Sequence, residues 1–328
     1  MIKYFCCDCQ SIIDGNDDDE WTRHLGHLFK AMHLFVDAAH GGHGHHKPER
    51  LAMESKSLDG LVQYIKSGSC KNVVVLTGAG ISVSAGIPDF RTPGIGLYDS
   101  VAHFNLPFKE AVFDIDYFKV HPEPFFSVCR EMLKPGRYQP TNVHRLIKHL
   151  ADMGVLLRNY TQNIDVLERA AGIPDHSLIE AHGSLARAHC MVCDHEYSAA
   201  QVSDMLIDWN DELRGPVPRC QQQSCKQGVI KPDVVFFGDS LPTIFSQRLV
   251  EDVVKCDLMI IIGTSLTVQP VATMVKIFRS KPRVLINLKH DQSHSDAGLA
   301  CNNPQVDDIA LEGDCQQIAQ QLINALSI

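Results

Sequence analysis

The sequence predicts an open α/β fold, a parallel sheet with helices on both faces and a small cysteine-bearing module inserted into it. Three observations carry this. Short apolar runs recur at residues 73–76 (VVVL), 155–157 (VLL), 258–262 (LMIII) and 284–286 (VLI) without the alternation of a one-sided strand, as expected for strands covered on both faces. Segments of helical periodicity separate them, as a parallel sheet requires. Each run ends in glycine or polar residues, at Thr77-Gly78-Ala79-Gly80, Thr161-Gln162-Asn163-Ile164-Asp165, Gly263-Thr264-Ser265 and Asn287, and such sheets bind ligands beyond the carboxyl ends of their strands.

Composition admits this fold and excludes other classes. A chain of 328 residues can bury a large core, and 45% hydrophobic with 21% charged residues is ordinary for a folded soluble protein. The net charge of −9, from 30 basic and 39 acidic residues, argues against direct, sequence-specific binding to nucleic acid. The apolar stretches fall far short of the roughly 20 residues that span a bilayer, and no signal-peptide pattern opens the chain, so no membrane partner is expected. The 12 cysteines then read as thiols or metal ligands in a reducing compartment.

Residues 1–50 differ from the rest. Cys6, Cys7 and Cys9, the acidic run at 17–20 and the Gly/His tract at 41–46 lack core periodicity. They read as a partly disordered extension, with one amphipathic helix over Leu25, Leu28, Phe29, Met32, Phe35 and Val36. Ser57 is placed to cap a helix carrying Leu58, Leu61, Val62 and Ile65, which delivers the chain to the Val73 strand. That strand breaks into Gly78 and Gly80, where backbone N–H groups can approach a phosphate and a following helix N-terminus adds its dipole. Val83 stands where a hydride-transfer fingerprint places its third glycine, and the loop runs on into Pro88-Asp89-Phe90-Arg91. The loop reads as built for nucleotide chemistry other than redox.

Cys190 with Cys193, then Cys220 with Cys225, form two pairs separated by a loop-sized insert, the layout of a four-thiolate tetrahedral zinc site. No open coordination position accompanies them, so the zinc reads as structural. Cys70, Cys129, Cys256 and Cys301 read as small buried apolar residues. His182, in EAHG, is the general-base candidate because Asn163 and Asp165 leave a neighbouring strand toward the same cleft. His144 and His149 lie on a helical pattern and are given no chemistry.

Together GAGISVSAGIPDFR (residues 78–91), TQNID (161–165), EAHG (180–183), the paired cysteines, KPDVVFFGD (231–239) and GTSLTVQP (263–270) resemble the sirtuins, NAD-dependent protein-lysine deacylases, over roughly residues 58–326. The stretch GLYDSVAHFNLPFKEAVFDIDYF resembles the class I branch, especially its mainly cytoplasmic members that deacetylate tubulin and histones. The resemblance implies a Rossmann-like NAD domain over residues 51–186 and 229–328, a helical insert at about 93–139 and a zinc-binding module at 187–228. It also implies NAD as co-substrate, one structural zinc, acetylated lysine-containing proteins as partners, and a cytoplasmic location extending to the nucleus.

On that resemblance Ala79, Gly80, Ile81 and Ser82 line the NAD phosphates and adjoining ribose, with Asp89 in the same loop and Arg91 as the charged phosphate contact. Phe90 covers the nicotinamide ribose and Gln162 holds it, while Ile87, Asn163, Ile164 and Asp165 form the nicotinamide pocket. Gly263, Thr264, Ser265, Asn287, Leu288 and Cys315 surround the adenosine half. Val235, Phe236 and Phe237 form an apolar tunnel and strand edge for the acyl-lysine. His182 and Asn163 are the implied catalytic residues for a reaction that yields free lysine, nicotinamide and O-acetyl-ADP-ribose. The chain departs from the family pattern at Val166, where a small or polar residue is common, at Asp239, where glutamate is usual, and in the wider spacing of Cys220 and Cys225. Mono-ADP-ribosyl transfer and a non-catalytic NAD-sensing scaffold are the competing readings, and a dehydrogenase is the weakest.

Overall fold

A computed structural model describes residues 3–5, 12–14, 53–89, 96–134, 136–207, 217–225, 227–303 and 306–328. Strands β1 (Lys3–Phe5) and β2 (Ile12–Asp14) pair antiparallel, a hairpin that the low periodicity of this stretch did not suggest. The amphipathic helix expected around residues 25–36 and the histidine tract lie outside the described residues. Further strands are β3 (Val73–Thr77), β4 (Leu156–Thr161), β5 (Leu178–Glu180), β6 (Gly183–Cys190), β7 (Glu196–Ser198), β8 (Ile230–Val234), β9 (Leu258–Ile262), β10 (Arg283–Asn287) and β11 (Asp308–Glu312).

The main sheet has six strands in the order β11-β10-β9-β3-β4-β5, and every pairing is parallel. Every residue of β3 and β9 is buried, and strand alternation sends their side chains to two separate cores. On one face Val73 and Val75 pack with Ile260, Ile262, Leu146, Ile147 and Leu322. On the other, Val74 and Leu76 pack with Met259, Ile261, Phe245 and Phe278. The uninterrupted apolar runs thus follow from having helices on both sides. Ser57 caps the first of these helices, Leu58–Lys66, by accepting the Gly60 N–H at 3.2 Å.

From β3 the chain proceeds to β4 and β5 on one side, then returns to β9 on the other. This reversal opens a crevice at the carboxyl ends of β3, β4 and β9, where doubly wound sheets take their ligands. A buried network fixes one flank. Arg158 on β4 donates to Asp252 of the Thr243–Lys255 helix at 2.8 and 3.0 Å, and the Tyr160 hydroxyl donates to the same carboxylate at 2.7 Å. Such a charge persists in the interior because its partners satisfy it on several sides.

The second sheet is antiparallel, in the order β7-β6-β8. It shares one hydrophobic cluster with the helices Ile115–Val120 and Glu123–Met132: Leu185, Ala188, Cys190, Cys220 and Phe236 pack with Phe113, Phe118 and Phe125. The rings meet edge to face, Phe236 lying 4.7 Å from Phe125 and 5.1 Å from Phe118 between centroids. These two helices and the cysteine-bearing sheet therefore share one core.

Candidate active site

Beyond β3 the chain makes two 3-10 turns, Ala79–Ile81 and Val83–Ala85, and stops at Gly86 with φ of 92°. The helix N-terminus expected here is absent among the described residues, because a run so rich in glycine and serine propagates an α-helix poorly. The glycines also serve a purpose beyond the one anticipated. A Cβ on Gly78 would lie 2.7 Å from the Thr264 Cβ, and one on Gly80 would lie 2.8 Å from the Gly263 carbonyl oxygen. The Gly80 N–H donates to that carbonyl at 2.8 Å. Glycine is required so that the β3 and β9 loops can press backbone to backbone.

Around this junction Gln316 donates to the Ile81 carbonyl at 3.0 Å, and the Cys315 thiol lies 3.8 Å from the Gly80 carbonyl. The Asn287 amide reaches the Thr264 carbonyl at 3.4 Å. Gly80, Ile81, Thr264, Asn287 and Cys315 are thus gathered at one end of the crevice, with Ser265 and Leu288 exposed at its rim. Phe90 and Arg91 lie outside the described residues. Asp89 is half-buried just before them, and Ile87 is buried.

At the other end, Ser82, Asn163 and Asp165 interlock. The Ser82 hydroxyl donates to the Asp165 carboxylate at 2.6 Å, and the Asn163 amide donates to the Gly78 carbonyl at 3.2 Å and to Ser82 Oγ at 3.3 Å. The Leu167 N–H donates to the second Asp165 oxygen at 3.0 Å. Burial pushes the Asp165 carboxyl above the ordinary carboxylate range, while the Ser82 and Leu167 hydrogen bonds pull the other way. Gln162 bridges the two loops, donating to the Thr77 carbonyl at 3.2 Å and to Thr264 Oγ1 at 2.9 Å.

His182 follows β5. Its Nδ1 lies 3.0 Å from the Gln162 carbonyl oxygen, and because a carbonyl only accepts, Nδ1 carries the proton. Nε2 therefore presents a lone pair, and among the described residues it is buried without a partner. Burial holds the ring below its ordinary value, so it is neutral at pH 7. Gly183 fixes the backbone beside it at φ of 73°, and a Cβ there would lie 1.9 Å from the Asp233 carbonyl oxygen. The crossing of β6 and β8 thereby sets the position of His182, whose carbonyl accepts the Val235 N–H at 2.9 Å.

The segment after β8 is less open than expected. The Phe237 N–H donates to the Phe113 carbonyl at 2.7 Å, and its carbonyl accepts from Ile115 at 3.1 Å. Phe236 is only 2% exposed, packed within the aromatic core rather than presented at the surface as the tunnel reading expected. Its N–H donates to the Asp239 carboxylate at 3.1 Å and its carbonyl accepts the Asp239 N–H at 2.9 Å. Asp239 thus closes a turn. The exposed Phe237 ring and the half-buried Val235 are what this segment offers a ligand.

Two residues were missed from sequence. His144 was given no chemistry and Glu168 was not singled out, yet both are fully buried beside Asp165. A ring nitrogen of His144 and one carboxyl oxygen each of Asp165 and Glu168 lie within 4.8 Å of one another. Burial, then the Asp165 charge, push the Glu168 carboxyl up to about 8. Val166, between them, sits at φ of 60° and ψ of 14°, a left-handed conformation that costs a β-branched residue about 1–3 kcal/mol. Its departure from the family pattern is therefore a strained one. Val166→Asn relieves the strain at the expense of a half-buried contact. A net gain of roughly 1 kcal/mol is expected, read as a higher melting temperature; a lower one would refute it.

Away from the crevice, Cys190 Sγ lies 3.5 Å from Cys225 Sγ and Cys193 Sγ lies 3.6 Å from Cys220 Sγ. All four sulfurs fall within 4.8 Å of one another. Disulfide sulfurs would sit at about 2.05 Å, whereas a tetrahedron with bonds of about 2.3 Å has edges of about 3.8 Å. The donor set and its spacing fit a structural zinc ion. The wider spacing of the second pair is absorbed by the turn at residues 222–225, where the Cys225 N–H donates to the Gln222 carbonyl at 2.9 Å.

Comparison with known proteins agrees with this architecture. The profile of the Sir2 family matches residues 78–270. The chain is 50% identical over 271 residues to the NAD-dependent deacetylase sir2C of Dictyostelium discoideum, covering 81% of this chain and 59% of that protein. It is 48% identical over 258 residues to the NAD-dependent protein deacetylase sirtuin-2 of Danio rerio, covering 77% and 65%. Against the NAD-dependent protein deacetylase hst2 of Schizosaccharomyces pombe identity is 42% over 273 residues, covering 83% and 77%. The chain thus spans between about half and two thirds of the length of several curated relatives it matches. With its glycine loop, interlocked Ser82–Asn163–Asp165 corner, free His182 Nε2 and four-thiolate cluster, the chain belongs to the Sir2 family.

Proposed function

We propose that this chain is an NAD-dependent protein-lysine deacetylase of the class I type, acting on acetylated lysines of protein substrates and carrying one structural zinc. The observation that bears most weight is His182: neutral, anchored through Nδ1 to the Gln162 carbonyl, with a buried and unpartnered lone pair on Nε2. A protein that only bound NAD would have no use for a free base held there. The names of the relatives, all NAD-dependent deacetylases, support the same reading.

NAD would supply a ribose carbon from which nicotinamide departs and to which the acetyl oxygen becomes attached. Gly80, Ser82 and the Gly263–Thr264 turn form the cradle for its phosphates and riboses, and the small side chains there leave room for close backbone approach. Asn163 and Asp165 offer an amide and a carboxylate to the nicotinamide carboxamide. His182 Nε2 would take the proton from a ribose hydroxyl so that this oxygen attacks the acetyl-derived carbon, and addition of one water would then release the free lysine amine and leave O-acetyl-ADP-ribose. The base is typically worth 10²–10⁴-fold. Val235 and the Phe237 ring flank the apolar passage for the acetyl-lysine. Holding the weakly nucleophilic acetyl oxygen against the ribose can itself contribute about 7–11 kcal/mol.

None of the nine described cysteines is in a disulfide, in keeping with a reducing compartment. We take the cytoplasm as the place of action, with the nucleus as a second. The deciding experiment is nicotinamide release by the purified protein with NAD and a panel of acyl-lysine peptides. Release that requires an acetyl-lysine peptide and yields the free lysine is expected. Release coupled to a mass gain of ADP-ribose on a protein acceptor would favour the transferase reading, and NADH formation would overturn both.

A further inference from the structure

The cluster beneath the nicotinamide corner has a composition that cannot be fully ionised at neutral pH. His144, Asp165 and Glu168 come from the Asn142–Asp152 helix and from the turn and helix after β4, and all three are buried. Both Asp165 oxygens accept hydrogen bonds, from Ser82 and from Leu167, which marks Asp165 as the ionised partner. Glu168 Oε1 and His144 Nε2 are buried with no partner among the described residues. The tautomer of His144 is fixed from the opposite side. Its Nδ1 accepts the Thr141 N–H at 3.2 Å in a capping box, so the neutral ring carries its proton on Nε2 and presents a donor. Burial lowers this imidazole to about 4 and keeps it uncharged.

A metal ion does not fit this arrangement. The free ring nitrogen bears a proton, and both Asp165 oxygens are already taken. What is missing is a positive charge or a proton. Around Glu168, Asp165 lies just before its own helix and Glu180 lies at the end of β5, and both are acidic. Thr161 hydrogen-bonds it from β4. The guanidinium of Arg169, next in the chain, is engaged by Glu180 at 2.7 Å and by Asp175 at 2.8 Å. Two like charges within 4.8 Å in a dry site do not both ionise; one proton stays with the pair.

We propose that Glu168 is a positioning residue that keeps one proton with Asp165, so that Asp165 carries a single negative charge and, with Ser82, holds the nicotinamide corner in place. This rests on the reading of Asp165 as part of that pocket. Glu168 touches no reacting atom and acts through its neighbour. His144, whose neutral ring carries its proton on Nε2, stands on the third side of the cluster.

The consequence for pH has a definite sign. Unfolded, Glu168 loses its proton near its ordinary value of about 4.3, whereas folded it keeps it up to about 8. Between those values the folded state binds more protons, so the stability from this group is full below the first and lost as pH rises through the second. Glu168→Gln cannot ionise and removes that slope. The test is a series of melting temperatures from pH 5 to pH 9 for the wild type, Glu168→Gln and Glu168→Ala. Alongside it, the inhibition constant of nicotinamide is followed over the same range in the peptide-dependent reaction.

The wild-type melting temperature should fall relative to that of Glu168→Gln up to about pH 8 and then run parallel to it. Above pH 8, nicotinamide affinity of the wild type should fall by up to about tenfold per unit, the limiting slope of one ionisation. In Glu168→Gln it should stay flat whatever its level, and it should exceed the affinity of Glu168→Ala. Parallel melting profiles for wild type and Glu168→Gln from pH 5 to pH 9 would overturn the retained proton, and that measurement needs no enzymatic activity. Divergent melting profiles with identical nicotinamide profiles would instead leave the proton standing and overturn the role of Asp165 in the pocket.

Discussion

Replacing His182 by alanine is expected to lower kcat/KM for acetyl-lysine peptides by about 10²–10⁴-fold while leaving the melting temperature within a few degrees of wild type. The separation follows from the local structure. Among the described residues the side chain makes one hydrogen bond, from Nδ1 to the Gln162 carbonyl, and a neutral bond of this kind contributes about 1 kcal/mol to folding. The position of the chain is set instead by the left-handed Gly183 and the contact between β6 and β8, which the substitution leaves in place. Protonation of Nε2 should have the same consequence as its removal. Burial depresses the imidazole below its ordinary value of 6.5, and only the neutral ring can accept a proton. Activity should therefore be lost as pH falls through a midpoint below 6.5, and the residual activity of His182→Ala should lack that acid limb. Near-normal turnover in the variant, or the same acid limb in both proteins, would remove His182 from the mechanism.

The parts of this molecule legible in its sequence are those decided by local pattern. β3 and β9 announced themselves as uninterrupted apolar runs because each is covered on both faces. The cysteine pairs declared their chemistry by spacing. β11 gave no such signal: Asp308-Ile309-Ala310-Leu311-Glu312 lies at the sheet edge, begins with an acid, and makes sense only once Arg283 reaches that acid, with Nε donating at 2.7 Å. Gly80 was singled out for backbone approach to a phosphate, and the structure adds a second reason that no local pattern carries, since its missing side chain admits the β9 loop. Phe236 looked like a binding residue from its neighbours in KPDVVFFGD, but register turned it into the aromatic core and left Phe237 outside. Glu168 and His144 were invisible because nothing in a one-dimensional pattern distinguishes a carboxylate on a solvated helix from one buried against another acid.

Removing the metal from the four-thiolate cluster, by a chelator or by Cys220→Ser, is expected to be the most destructive single change to the fold. Metal binding in structural zinc sites corresponds to about 10–16 kcal/mol at pH 7, and part of it is folding energy for the surrounding module. Here the cluster is joined to the core. Cys190 and Cys220 are members of the same hydrophobic cluster as Phe113, Phe125 and Phe236, and β6 carries both Cys190 and the crossing that positions His182. Four sulfurs within 4.8 Å of one another would repel as thiolates or pack poorly as thiols, so the module has no comparable alternative state. A loss of more than about 5 kcal/mol would lower the melting temperature by more than about 10 °C for a body of this size. The main parallel sheet has its own two cores and should keep much of its helical signal, so the loss should be confined to part of the far-UV spectrum. Limited proteolysis should then cut first within residues 187–228. Activity should vanish with the metal, because the β6–β8 crossing beside His182 belongs to the part that unfolds. Metal analysis should find one zinc per chain in the native protein and none in Cys220→Ser. A metal-free protein that melts where the native one does, and still deacetylates, would show that these four thiols do not hold a structural ion.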